Sequence, residues 1–218
     1  MPDTLSIWNG ALAACGERAL ASLTENREPR YVIEDVWNRE FIRECLEEAM
    51  WKFATRSSKL SYSPSVTPAF GYQYGYEKPG DWLKTVAVCQ DEFYKVPLLS
   101  YTTEQGYIYT ELDEIYVKYV SNDVEWGMDL SLWPRSFTRY MEHYLGSLIM
   151  PRLNHSESKQ NELKRLVKQF RVEAKQADAI ELPTKFPPAG SWSTARRSGS
   201  SGRYDRGSRS TLGVWSGS

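Results

Sequence analysis

Two histidines, His143 and His155, are the chain's only candidates for a neutral-pH general base. A hydrolase needs a nucleophile, a base and a group that orients the base. His143 falls inside a helical pattern beside Glu142, near Tyr140 and Tyr144, and reads as a polar-face or interfacial histidine. His155 sits in Asn154-His155-Ser156, at the start of another helix. There is no H-E-x-x-H, and scattered cysteines with two lone histidines make a poor zinc set. Cys15, Cys45 and Cys89 form no C-x-x-C pair, and Cys15 and Cys45 fall on apolar helix faces. The expectation is buried free thiols in a reducing compartment. Phosphate-cradling motifs are missing too: Gly71, Gly75 and Gly80 stand among tyrosines and prolines rather than between a strand and a helix. The acidic pairs Glu47-Glu48 and Asp91-Glu92 read as solvated charge. The expected protein is not an enzyme and uses no cofactor or metal.

Charge is the next source of chemistry. The overall charge is −1, which disfavours a surface that coats nucleic acid throughout. From Ala189 onward, Arg196, Arg197, Arg203, Arg206 and Arg209 face one acid, Asp205, so this segment carries +4 and the rest −5. Arginine among serine, glycine and a few aromatics suits either phosphate contact with base stacking or docking on an acidic neighbour. The docking arm is the preferred reading. Its candidate partner-binding residues are Arg196, Arg197, Arg203, Tyr204, Arg206, Arg209 and Trp215, with Tyr204 and Trp215 as anchors. No stretch reaches the ~18 apolar residues of a membrane span, and Met1-Pro2-Asp3 does not resemble a secretion signal. A cytoplasmic protein without membrane contact is expected.

Positioning these groups falls to helices on either side of a β block. Thr4 is the expected N-cap of a first helix, with Leu5, Trp8, Leu12, Cys15, Ala19 and Leu23 on one stripe and Gly16 weakening its middle. Thr24–Tyr31 reads as a polar connection. Trp37, Phe41, Cys45, Ala49 and Phe53 recur every four residues and predict a second helix over 33–54. Tyr72, Tyr74 and Tyr76 alternate with small and polar residues, as in an extended loop or irregular strand. Strands are predicted at Thr85–Cys89, Tyr94–Leu99, Tyr107–Thr110 and Ile115–Val120, joined by connections too short for anything but antiparallel hairpins. After Trp133-Pro134, Phe137, Tyr140, Met141, Tyr144, Leu145, Leu148 and Ile149 predict a helix that Pro151 ends or kinks. A last amphipathic helix is expected over 156–179. The expected fold is α+β, a bundle of about four helices with an inserted small antiparallel β domain and an extended C-terminal arm. Its parts are residues 1–56, 57–132, 133–182 and 183–218.

Taken in order, these segments resemble the tail tubular protein A family of short-tailed phages. Leu12-Ala13-Ala14-Cys15-Gly16-Glu17 is similar to the close of that family's opening helix, and Glu48-Ala49-Met50-Trp51-Lys52-Phe53-Ala54 to the aromatic end of its second. Pro79-Gly80-Asp81-Trp82-Leu83-Lys84 resembles its entry into the strands. Tyr116-Val117-Lys118-Tyr119-Val120, with Trp133-Pro134 and Phe137, resembles its return to helix. The resemblance spans roughly Leu5 to Leu182. The tyrosine- and proline-rich stretch over 57–75 and the long Arg/Ser/Gly tail depart from it.

The resemblance implies a structural virion protein, a head–tail adaptor in the tail, assembled in the host cytoplasm. It implies a homo-oligomeric ring, expected to be a dodecamer, set between the portal protein and the tail nozzle (a tubular protein B-like partner), with tail fibres on its outside. DNA would pass through the lumen without sequence recognition during ejection. The alternative is a cytoplasmic nucleic-acid-binding accessory protein that works through its arginine-rich tail.

Overall fold

The computed structural model describes residues 2–180 except 67, 69, 70 and 155. The chain is α+β: a helical bundle with small antiparallel sheets inserted between its second and third limbs. The C-terminal arm lies outside the described residues.

The first helix, α1, spans Thr4–Cys15. Its N-cap is Asp3 rather than Thr4: the Asp3 carboxylate accepts the Ser6 amide, and the Ser6 hydroxyl accepts the Asp3 amide. Gly16, at φ 78°, terminates this helix instead of weakening its middle. The Gly16 and Glu17 amides donate back to the Ala13 and Leu12 carbonyls, a closure that needs the left-handed conformation glycine adopts freely. The stripe therefore ends at Cys15, and Ala19 and Leu23 are exposed. Asn9 then ties the following loop to α1, accepting the Leu20 amide and donating to the Leu20 carbonyl.

The second limb departs most from expectation. It begins at Glu28, with Pro29 in the first turn, and divides into α2 (Glu28–Val36), a wide turn (Trp37–Phe41) and α3 (Ile42–Glu47). Arg39 and Glu40 leave helical geometry, Glu40 at φ 61°. The sequence pattern itself explains the break. A repeat of four residues on a helix of 3.6 residues per turn drifts by about 40° per step, so one straight helix cannot aim every member at the same core. The kink resets the phase: Val32 and Ile33 are buried before it, and Phe41, Cys45 and Leu46 after it. Past Glu47 the chain is no longer helical. Trp51 turns inward, its indole N–H donating to the Cys45 carbonyl at 2.9 Å and its ring 4.8 Å from Phe137.

α4 (Arg135–Leu153) is the central helix, with Pro134 at its N-cap and Pro151 tolerated in its last turn. Phe137, Tyr140, Met141, Leu145 and Ile149 are buried, while Leu148 is exposed. α1 crosses α4 closely at Gly146, where an added Cβ would lie 3.1 Å from the Ala11 carbonyl oxygen. α5 (Glu157–Ile180) buries Leu163, Val167, Phe170 and Ala174 along one stripe. Counting the kinked α2–α3 limb once, the described bundle has four limbs.

The β block holds two three-stranded antiparallel sheets. One is ordered β1 (Thr55–Ser61), β6 (Glu114–Ser121), β3 (Trp82–Cys89); the other β2 (Tyr74–Glu77), β5 (Tyr107–Thr110), β4 (Thr102–Glu104). Leu60, Val88, Ile115, Val117 and Tyr119 of the first sheet share a core with Tyr76 and Ile108 of the second. Alternation along β6 sends Val120 the other way, into the helical core. In β3 two breaks in register, at Trp82/Lys84 and Thr85/Ala87, let Leu83 and Val86 reach that core while Val88 stays on the sheet side. β1 and β4 were not expected from sequence. Conversely, Tyr94–Leu99 is not a strand: it contributes one isolated bridge, Cys89 to Pro97, inside an ordered loop. The β4–β5 turn is Gln105-Gly106, both at positive φ, as a tight two-residue hairpin requires.

Candidate functional site

Three places concentrate the polar chemistry of the described residues. The first is the Pro79–Lys84 entry into β3. Asp81 accepts the Ser121 hydroxyl at 2.5 Å, the Tyr119 hydroxyl at 3.2 Å and an Arg56 N–H at 3.1 Å. One carboxylate thus ties all three strands of the first sheet together. Trp82 adds a stacked ring on Tyr119, 4.3 Å between centroids and 8° between planes. Burial pushes the Asp81 carboxyl up, but the hydrogen bonds from Ser121, Arg56 and Tyr119 outweigh it and leave the group below its ordinary value. Burial and the Asp81 charge push the Tyr119 hydroxyl up to about 12, so it remains a donor. This constellation fastens strands rather than moving protons.

The second place joins α3, α4 and α5. Glu48 accepts the Tyr140 hydroxyl at 2.5 Å and pairs with Arg171 at 2.9 Å and Lys175 at 3.5 Å; Glu44 accepts the Tyr144 hydroxyl at 2.5 Å. The two tyrosine rings stack at 5.8 Å. Burial, followed by neighbouring negative charge and the carboxylate hydrogen bonds, raises both hydroxyls well above the ordinary value. Glu48 is therefore a half-buried structural ligand, not solvated charge, whereas Glu47 is exposed and pairs with Arg43 on the surface.

A groove between α1 and α4, about 850 Å³ in volume, is the third place. Gly10, Ala13 and Ala14 line one side, and Trp133, Glu142 and His143 the other. Glu142 is buried, with 10% of its side chain exposed, and among the described residues its ion-pair partner is Arg135 at 3.0 Å, itself 77% exposed. Gly10 makes room for it: a Cβ there would lie 2.6 Å from the Glu142 Cγ and Cδ. His143 packs edge-on against Phe170 at 4.5 Å, with Nδ1 2.9 Å from the Arg139 carbonyl. That places it on the α4–α5 seam, an interfacial histidine as its setting in the sequence suggested. His155 lies outside the described residues.

All three cysteines are buried and free. Burial raises each thiol, Cys15 to about 11 and Cys45 well above its usual value, which is opposite to the activation a nucleophile needs. Among the described residues, no group of three or more His, Cys, Asp or Glu side chains is arranged to hold a metal ion. No described helix is long and apolar enough to cross a membrane.

Arg196, Arg197, Arg203, Tyr204, Arg206, Arg209 and Trp215 lie outside the described residues, so the structure brings none of them to a site. Sequence reasoning missed the α1–α4 groove. Its only trace was Gly10 in a helix interior and Glu142 amid apolar α4 residues, which become meaningful once the two helices are known to cross. Also missed was the surface of the 90–101 loop, where Phe93, Val96 and Leu99 are 69%, 49% and 89% exposed.

In comparisons with known proteins, no family model matches the sequence and no curated protein matches it.

Proposed function

We propose that the chain is a structural virion protein, a head–tail adaptor similar to tail tubular protein A of short-tailed phages. Copies of it would form a ring, expected to be a dodecamer, between the portal protein and the tail nozzle, and DNA would pass through that ring during ejection. The observation that carries the reading is where the resembling segments fall in the fold. Pro79–Lys84 fastens the first sheet through Asp81 and Trp82, and Trp133-Pro134 turns the chain from the β block into α4. The segments that resemble the adaptor family are thus the junctions on which a bundle with an inserted β block depends.

Two physical points support a conduit. The residues before Ala189 carry −5, and a negative wall holds passing DNA weakly where a basic wall would retain it. Identical subunits close into a ring when head-to-tail contacts return on themselves. The test is assembly with the portal protein, viewed by electron microscopy. Symmetric rings capping the portal support the proposal, and persistent monomers that leave the portal bare refute it.

The +4 tail favours one other reading, a nucleic-acid-binding accessory protein. Tail-dependent, salt-sensitive DNA binding by a monomer that forms no ring would select it.

A further inference from the structure

The loop over residues 90–101, between β3 and β4, is a built projection. The Asp91 carboxylate accepts the Lys95 and Val96 amides, the Gln90 amide donates to the Val96 carbonyl, and the Leu98 amide donates to the Val88 carbonyl. Tyr94, at φ 55°, donates its hydroxyl to the Val117 carbonyl at 3.0 Å, with the Lys118 ammonium 4.0 Å from its ring centroid. These bonds hold Phe93, Val96 and Leu99 out in water, although buried aromatic and aliphatic surface would be favoured by about 25 cal/mol per Å². Exposed apolar side chains on an ordered loop are the signature of a contact surface. The Lys95 ammonium lies 5.4 Å from the Phe93 ring centroid, so an apolar ring and a positive charge are presented together.

The α1–α4 groove has the complementary features. It is lined by the small residues Gly10, Ala13 and Ala14 and by Trp133, and it holds the buried Glu142 carboxylate, whose ion-pair partner Arg135, also in the lining, is largely in water. A ring entering this groove beside an ammonium would cover apolar surface and bring a second cation to Glu142. We infer that the 90–101 loop of one copy seats in the α1–α4 groove of the next, with Phe93 as the anchor and Lys95 facing Glu142. This rests on the ring-forming reading and names the contact that builds the ring. Loop and groove are different surfaces, so the contact is head-to-tail, the kind that generates rings.

The test uses the full chain with Phe93→Cys and Ala13→Cys, two exposed positions, and a short bis-maleimide. The native cysteines are buried with raised thiols and react slowly. Cross-linking is done on protein assembled with the portal. The expected result is a ladder of oligomers from the double variant, a dimer from the mixed single variants, and none from either single variant alone. Phe93→Ser or Lys95→Glu should raise the concentration needed for assembly about tenfold or more, while far-UV circular dichroism stays that of the native chain. Rings without the 93–13 cross-link overturn this contact and leave the adaptor reading standing. A cross-link in the Phe93→Cys variant alone marks a two-fold contact and overturns it, as does a cross-link from Ala13→Cys to the portal or assembly unaffected by both loop variants. Monomers giving neither rings nor cross-links overturn the contact and the adaptor reading together.

Discussion

Replacing Asp81 by alanine should be the most damaging single change of a polar residue in the β block. Its carboxylate is the acceptor for the Ser121 and Tyr119 hydroxyls, and both residues are essentially fully buried. Arg56, with 37% of its side chain exposed, can turn to water or to Asp123 at 3.6 Å, so its loss contributes little. Each buried hydroxyl left without an acceptor costs about 1–3 kcal/mol, and Ser121 keeps part of its bonding by accepting the Asp123 amide. The expected destabilisation is about 3 kcal/mol, or a fall in melting temperature of about 6–12 °C for a chain of this length. Asp81→Asn, which keeps one acceptor oxygen, should lose about half as much. Asp113→Ala, at an exposed carboxylate, serves as the control and should stay within about 0.5 kcal/mol of the parent. Urea unfolding followed by tryptophan fluorescence reads all three, and near-ultraviolet circular dichroism reports the Trp82–Tyr119 stack directly. The pH dependence gives a second check. A carboxyl lowered in the folded state stabilises above its unfolded value and loses that contribution as pH falls through the folded value. Parent and Asp81→Ala should therefore converge in stability as pH drops below about 4. An Asp81→Ala protein as stable as the control at neutral pH would refute the reasoning.

Other expectations are simpler. Gly127→Ala puts a Cβ 2.0 Å from the Ser121 carbonyl oxygen, so the backbone must move; a loss of about 3 kcal/mol or more is expected by urea unfolding, and a loss under about 1 kcal/mol contradicts the close approach. Tyr76 and Tyr119 are pushed up to about 12, chiefly by burial, and Tyr140 and Tyr144 are raised as well. Their stabilisation is complete below pH 10 and is lost as pH rises toward their folded values, so unfolding should accompany a late phase of tyrosinate absorbance; ionisation of every tyrosine near pH 10 with an unchanged fold would contradict this. Deleting residues from Ala189 onward should leave the melting temperature of the rest within about 2 °C while impairing docking on the portal, and infectious particles assembled normally by the truncated chain would refute the arm's role.

How much of this was legible in the sequence varies by element. α4 and α5 could be read because their apolar residues follow the helical period and their long faces are buried where the period says. The second limb misled because a repeat of four looks continuous in sequence while its direction drifts around the helix; only packing against α4 shows where it must break. β1 was hidden because Thr55–Ser61 is mostly serine and charge, with Leu60 its one fully buried residue, so its strand form comes from pairing with β6. The Tyr94–Leu99 run has strand-like composition, yet Pro97 lacks an amide for the ladder, and Val96 and Leu99 face water while Leu98 turns into the sheet core. Cys15, Cys45 and Cys89 were readable as buried thiols from their apolar settings. The α1–α4 groove was not readable, since Gly10 and Glu142 are separated by most of the chain and meet only through the fold. The role of Asp81 was half visible: the turn marked the entry to the strands, but its partners Arg56, Tyr119 and Ser121 are distant in sequence.

The most direct test of the proposed adaptor role is electron microscopy of this chain mixed with a candidate short-tailed-phage portal protein, with class averages examined for rotational symmetry. The account predicts a closed ring of this chain seated on the portal, with an open lumen wide enough for duplex DNA. A portal that remains bare, beside monomers that bind DNA through the arginine-rich tail, would contradict it.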